Sequence, residues 1–139
     1  VVGRAGVRGA LLQPMALPGL ELLAGIRFDP QFGPTITVGL GGVTSEVMAD
    51  VTTELAPVDL LTARSMLDRL RGARLLGEFR GTPPRDVEST ARTLVSLSEF
   101  AIDAGSLVAE LDLNPVIVHE VGQGCTIVDG AAVLASSTN

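Results

Sequence analysis

Apolar and polar positions along this chain follow three regimes. The first third carries short apolar runs cut by turn residues. Gly9-Ala10-Leu11-Leu12-Gln13 reads as a buried strand stopped by Pro14, because proline cannot donate to a ladder. Pro18-Gly19 marks a turn, and Leu20 to Ile26 follows as an apolar run holding one carboxylate, Glu21. Asp29-Pro30-Gln31-Phe32-Gly33-Pro34 predicts a loop. The β-branched run Thr35-Ile36-Thr37-Val38 predicts a strand, Gly39-Leu40-Gly41-Gly42 a flexible glycine segment, and Val51 to Leu55 a further strand. Together these segments predict an antiparallel meander.

In the middle the apolar spacing changes to three and four. Leu60, Leu61, Met66, Leu67 and Leu70 fall among Arg64, Asp68, Arg69 and Arg71, which predicts an amphipathic helix capped by Asp59 or Thr62 and stopped at Gly72. A second helix is predicted to start at Pro84, with Asp86 and Glu88 in its first turn, a buried face of Leu94, Leu97, Phe100 and Ala101, and an end at Gly105. The last third returns to period two. Leu107, Ala109, Leu111 and Leu113 share one strand face, and Val108, Glu110, Asp112 and Asn114 the other. Pro115 interrupts and Val116-Ile117-Val118 continues. Gly122-Gln123-Gly124 then turns into a strand over Cys125 to Asp129, and Ala131 to Asn139 is expected to fray. The predicted class is α+β, an antiparallel sheet packed with two main helices.

Composition narrows the functions available. The 139 residues are 46% hydrophobic and 19% charged, with a mean hydropathy of +0.41, so one domain with its own core is expected and a disordered tail is excluded. Four Phe and no Trp or Tyr make that core aliphatic. A single cysteine excludes a disulfide scaffold. The net charge of −6 gives no footprint for nucleic acid. No apolar run approaches the ~20 residues of a membrane span, and no leader pattern opens the chain, so a cytoplasmic location is expected. The chain starts at Val1 rather than Met, which predicts a piece of a longer protein.

Candidate chemistry concentrates in Glu110-Leu111-Asp112-Leu113-Asn114-Pro115, with Asp129 fifteen residues after Asn114. Period two puts Glu110, Asp112 and Asn114 on one face, and an antiparallel return brings Asp129 beside Asn114. Such oxygens suit Mg²⁺, which takes few protein ligands and completes its octahedron with water and phosphate. From spacing alone the plainer reading, the solvated face of an edge hairpin, is favoured. Glu21, the Arg27 to Pro34 loop, and Gly41, Gly42 and Glu46 each admit a ligand reading and a plain structural one. His119, the only histidine, is expected at the surface, and Cys125 as a small buried hydrophobe. One His and one Cys assemble no nucleophilic triad, so no catalytic residue is assigned to this chain.

Taken in order, these segments resemble one family. Leu11-Leu12-Gln13-Pro14-Met15, Pro18 to Leu22, Gly25 to Pro34, Gly39 to Val43 with Glu46, Arg80-Gly81-Thr82-Pro83-Pro84, and Glu110 to Pro115 with Asp129 resemble the ATP-grasp region of the NDP-forming acyl-CoA synthetases, the ADP-forming acetate–CoA ligases. The region also occurs fused to GNAT domains in bacterial protein lysine acetyltransferases. The resemblance covers nearly the whole chain.

It implies the C-terminal subdomain of an ATP-grasp fold, which clamps ATP or ADP between two α+β halves. On that resemblance Asp112, Asn114 and Asp129 match the positions that hold Mg²⁺ on the phosphates. Gln13, Pro14 and Met15 match the hinge that runs past the adenine, and Glu21 the acidic residue after it. Arg27 and Asp29 match the loop near the phosphates, and Gly41, Gly42 and Glu46 the glycine loop facing a phosphohistidine partner. Family members often show Asp-Ala-Arg where this chain has Asp129-Gly130-Ala131. The implied partners are the remainder of the ATP-grasp domain and a CoA-binding domain carrying the phosphohistidine. The phosphate-contacting lysine must come from that remainder, because all ten basic residues here are Arg. A regulatory region of a GNAT acetyltransferase is the alternative. Half a clamp exposes an apolar face, so homo-oligomers are also expected.

Overall fold

A computed structural model describes residues 12–42 and 50–135. The strands are β1 (Leu20–Asp29), β2 (Gly33–Leu40), β3 (Val51–Leu55), β4 (Val108–Val118), β5 (Cys125–Ile127) and β6 (Gly130–Leu134). The helices are α1 (Leu60–Asp68) and α2 (Val87–Ala104). All pairings are antiparallel, in the order β3-β2-β1-β4-β5, with β6 also on β4. The helices cover one face of this sheet: α2 packs on β1, β2 and β4, and α1 lies against α2 and the β2–β3 side.

Alternation decides which face is covered. Leu22, Ala24 and Ile26 of β1 and Ile36 and Val38 of β2 point into the core. Ala63, Met66 and Leu67 of α1 and Ala91, Leu94, Leu97 and Ala101 of α2 meet them from the other side. The buried positions of α2 recur at intervals of three and four, which keeps them on one stripe of a 3.6-residue helix. Phe100 sits six residues after Leu94, about 120° round the helix, and so is exposed rather than buried. Two buried hydroxyls are satisfied: Ser98 Oγ donates to Val95 O within its helix and accepts from Val58 N across the fold, and Thr90 Oγ1 donates to Asp86 O.

β4 does not keep strict alternation. Leu22 pairs with Val116 and Ala24 with Leu113, so Asn114 and Pro115 together stand opposite Leu23. This β-bulge resets the parity of the strand, and Leu113, Val116 and Val118 all face the core. At the same point the outer edge of β4 changes partner. Leu113 pairs with Gly130 of β6, and Val116 with Ile127 of β5. Asn114 N–H donates to Asp129 O at 3.2 Å, and Val128 N–H donates to Pro115 O at 3.0 Å.

Several expectations change. Leu12 and Gln13 lie outside any strand; Gly9 to Leu11, like Val43 to Glu46, fall outside the described residues. β1 and β2 run into the expected Asp29–Pro34 loop and leave a short turn, with Gly33 at a φ of 83°. Gly39 is not part of a flexible segment but a buried residue of β2, paired with Leu23 and Val51. α1 ends at Asp68, capped by Asp59, whose carboxylate accepts from Thr62 N at 2.7 Å. Leu70 is buried just beyond the helix. Pro84 precedes α2 rather than starting it, and Gly105 ends it with a φ of 52°. Leu107 is exposed in a 3₁₀ turn ahead of β4. The expected Cys125–Asp129 strand stops at Ile127, and Cys125 is only half-buried. The expected fraying from Ala131 is replaced by β6 as far as Leu134, because the outer edge of β4 offers it a ladder.

Two carboxylates anchor the connections. Asp50, 6% exposed, accepts from Arg71 N at 2.7 Å and Gly72 N at 2.8 Å, which ties the chain after α1 to the entry of β3. Asp86 caps α2 through Ser89 N, and its second oxygen accepts from Gly122 N and Gly124 N, both at 2.9 Å. These N–H donors, Ser89 first, hold the Asp86 carboxyl below the usual carboxylate range.

Asp50→Ala leaves two part-buried N–H groups without acceptors and is expected to cost on the order of 2–4 kcal/mol. Asp50→Asn retains one acceptor oxygen and should lose about half of that. Urea unfolding, with a shifted midpoint at unchanged slope, is the measurement. The folded pKa of Asp86 lies below its unfolded value, so its contribution is complete above about pH 4 and fades as pH falls through the folded value. Asp86→Asn should therefore be less stable at neutral pH and lose less stability on acidification than the unsubstituted protein, as read by unfolding midpoints between pH 7 and pH 2.5.

Candidate nucleotide site

The sheet face opposite the helices carries the polar positions. Period two sends Glu21, Leu23, Gly25 and Arg27 of β1 to that face. The register sets Gly25 between Thr37 and Asp112, and Arg27 between Thr35 and Glu110. Arg27, Glu110 and Asp112 are exposed and rim a depression of about 210 Å³ that Gly25 and Thr37 also line. A Cβ on Gly25 would sit 2.8 Å from Leu111 O, so only glycine lets β1 and β4 approach this closely here. Thr37 Oγ1 hydrogen-bonds Thr53 Oγ1 at 2.8 Å, which orders the β3 side of the face.

Glu21 meets the glycine segment. Its carbonyl accepts from Gly41 N at 2.8 Å, and its carboxylate lies over Gly42, 3.5 Å from where a Cβ would be. The Asp29 side chain works within its own turn. Oδ1 accepts from Gln31 N and Phe32 N at 2.8 and 2.9 Å, and these donors, more than the nearby Arg27, hold its pKa below the ordinary value. Glu46 lies outside the described residues.

A second cavity, about 430 Å³, opens where the chain entering β1 passes β5. Gln13, Pro14 and Met15 form one wall with Ala16 and Leu17, and Thr126, Ile127 and Val128 form the other. Leu12, Met15 and Leu17 are exposed, as are Ile127 and Val128, so the slot is apolar and open on one side. Apolar walls with a few polar groups suit a planar aromatic ligand such as a nucleobase.

At the bulge, Asn114 and Asp129 stand side by side through their backbones, and both side chains are exposed. Asp129 Oδ1 accepts from Gly130 N at 2.8 Å. Asp112 lies on the same strand, two residues before Asn114, with its side chain on the open face. Among the described residues no three His, Cys, Asp or Glu side chains gather into a metal cage. Asp112, Asn114 and Asp129 thus offer two carboxylates and an amide, all exposed, and such oxygens fit a hard cation that brings phosphate and water as its other ligands.

His119 departs from its expected surface position. It is 3% exposed, with Nδ1 at 3.3 Å from Pro18 O and Nε2 at 2.8 Å from Thr126 Oγ1. The strand ends at Val118, and the next residue is folded under the chain that enters β1. Sequence reading also passed over Thr37 and the Thr126–Val128 wall. Thr126 lies more than a hundred residues from Gln13, and only the β4–β5 pairing brings the two segments together. A polar residue within the apolar run Cys125–Val128 was the one available signal for Thr126.

The fold is a sheet backed by helices on one face, with an apolar slot, a glycine segment and exposed carboxylate and amide oxygens away from those helices. A model of the ATP-grasp domain matches residues 2–134, and the chain belongs to the ATP-grasp family. It is 37% identical to the β subunit of ADP-forming acetate–CoA ligase II of Pyrococcus furiosus, over 94% of this chain and 55% of that protein. It is 40% identical to ADP-forming acetate–CoA ligase I of Archaeoglobus fulgidus, over 94% of this chain and 19% of that one. Among solved structures, the dinucleotide-forming acetyl-coenzyme A synthetase 1 of Ca. Korarchaeum cryptofilum, in complex with coenzyme A and Mg-AMPPCP, aligns with a TM-score of 0.81 and 39% identity, over 86% of this chain and 55% of that chain. The chain thus spans about half of the first of these relatives and a fifth of the second.

Proposed function

We propose that this chain is the nucleotide-binding half of an ATP-grasp domain in an NDP-forming acid–CoA ligase, which interconverts acyl-CoA, ADP and phosphate with acid, CoA and ATP. The observation that carries the reading is the meeting of Gln13, Pro14 and Met15 with Thr126–Val128 in one apolar slot, on a sheet whose β4 bulge pairs Asn114 with Asp129. The relatives named above are ligases or synthetases, and one was solved with a magnesium nucleotide analogue. They favour the ligase reading over the acetyltransferase one.

In this reading the base lies in the slot between the Gln13–Met15 segment and β5. Glu21 stands where the chain leaves the slot and meets Gly41 and Gly42. Arg27 offers a guanidinium to phosphate oxygens from the open face, with Glu110 beside it limiting the net charge. Asp29 holds the β1–β2 turn that frames this end of the face. Asp112, Asn114 and Asp129 are the residues that would hold Mg²⁺, which neutralises phosphate charge when bound. Gly41, Gly42 and Glu46 are assigned to meeting a phosphohistidine segment, as the resemblance implies. The remaining phosphate contacts, including a lysine, come from the other half of the clamp, and the protein works in the cytoplasm.

Calorimetry of Mg·ADP with the intact protein tests this. Asn114→Ala and Asp129→Ala are each expected to weaken binding by at least roughly tenfold, the usual scale for lost ligands or their supports. Unchanged affinity in both would overturn the assignment. The 139-residue chain alone should bind far more weakly than the intact protein, and micromolar affinity for the isolated chain would contradict the half-clamp reading.

A further inference from the structure

The one histidine of the chain is buried between the two walls of the apolar slot and touches a polar atom on each side. Its Nδ1 faces the carbonyl of Pro18, at the end of the segment that forms the first wall, and its Nε2 faces the hydroxyl of Thr126, which lines the second. A carbonyl can only accept, so Nδ1 carries the proton. Nε2 is then the acceptor for the Thr126 hydroxyl in the neutral ring. One rigid imidazole therefore links residues 18 and 126, which no regular hydrogen-bond ladder joins.

The second wall is held from behind, by the β4 ladder and by Thr93 Oγ1 on Cys125 Sγ at 3.3 Å, and the imidazole adds a tie toward the first wall. β5 is three residues long and pairs only with β4, and Ile127 and Val128 are exposed. The first wall needs that tie more, because residues 12–19 form no strand or helix. Gly19 packs tightly under Val118, where a Cβ would lie 2.4 Å from the Val118 carbonyl. That contact places the chain beside β4, and the ring of the next residue, His119, then sets the spacing to β5.

We infer that His119 is a positioning residue for the nucleobase: it fixes the separation of the Gln13–Leu17 and Thr126–Val128 walls without touching the ligand. The inference rests on the assignment of that slot to the base. It predicts a graded response. His119→Leu removes both links, whereas His119→Asn retains an N–H directed at Pro18 O and loses Thr126. Thr126→Val removes the same link from the other side while conserving shape.

In the intact protein, Thr126→Val and His119→Asn should raise the KM for the nucleotide alike, by roughly five- to tenfold, and His119→Leu should raise it further. kcat at saturating nucleotide should stay within about twofold in the His119 variants, because no reacting group is moved. Hydrogen exchange should rise at residues 15–17 in step with KM. A falling melting temperature with KM and exchange at residues 15–17 unchanged would overturn the inference and leave His119 as core packing. Thr126→Val keeps the test valid should the His119 variants fail to fold. Met15→Asp, which places a charge in the slot wall, separates the two readings. If it weakens nucleotide binding while the His119 and Thr126 variants do not, only the positioning role is overturned. If Met15→Asp also leaves binding unchanged, the slot is not the base site and both readings are overturned.

Discussion

The structure depends on one extra residue in β4. Without the bulge at Asn114 and Pro115, a strand of eleven residues would keep one parity, and either Leu113 or the Val116–Val118 pair would face away from the helices. The bulge lets both halves of β4 feed the same core. It also breaks the outer edge of the strand into two segments, which β5 and β6 occupy in turn. Asp129 sits in the corner between them, so the feature that keeps the core apolar also brings the backbone of an exposed aspartate against Asn114.

The two faces of the sheet have opposite designs. The covered face is packed by Leu, Ile, Val, Ala and Met, and its buried hydroxyls are paired over short distances. The open face has Gly25 where a side chain would force strands apart, and carboxylates and a guanidinium around it. A surface of this kind gains little from its own contacts, since exposed charge pairs contribute only slightly to stability. On the proposed function this face is the wall that meets the nucleotide.

Much of this was legible from local pattern. The β-branched run at Thr35–Val38, the strand Val51–Leu55, the Asp59 cap, the Gly105 stop and the turn before Cys125 follow from short-range chemistry, and the structure shows them. What was not legible depends on partners distant in sequence. Gly39 looks flexible until β1 and β3 flank it. Ala131–Leu134 looks frayed until β4 offers an edge. His119 looks exposed until Pro18 and Thr126 enclose it. The Asp50 carboxylate gave no signal, because its donors are backbone groups some twenty residues away. For the proposed site, the order of motifs suggested residues, and the folded chain adds what order cannot, namely that Gln13–Met15 lies across a cavity from Thr126–Val128.

Asp86 has a mechanical consequence. Its carboxylate is shared between the first turn of α2 and the tight turn that leads into β5, and its own N–H donates to His119 O. A three-residue edge strand would ordinarily breathe with the sheet margin. Here it is indexed to an eighteen-residue helix, the longest element among the described residues. A displacement of that helix, by a docking domain or a bound segment on its exposed side, reaches the slot wall through Asp86 and through Thr93 Oγ1, which meets Cys125 Sγ at 3.3 Å. The edge strand thus behaves as the short arm of a lever whose long arm is α2.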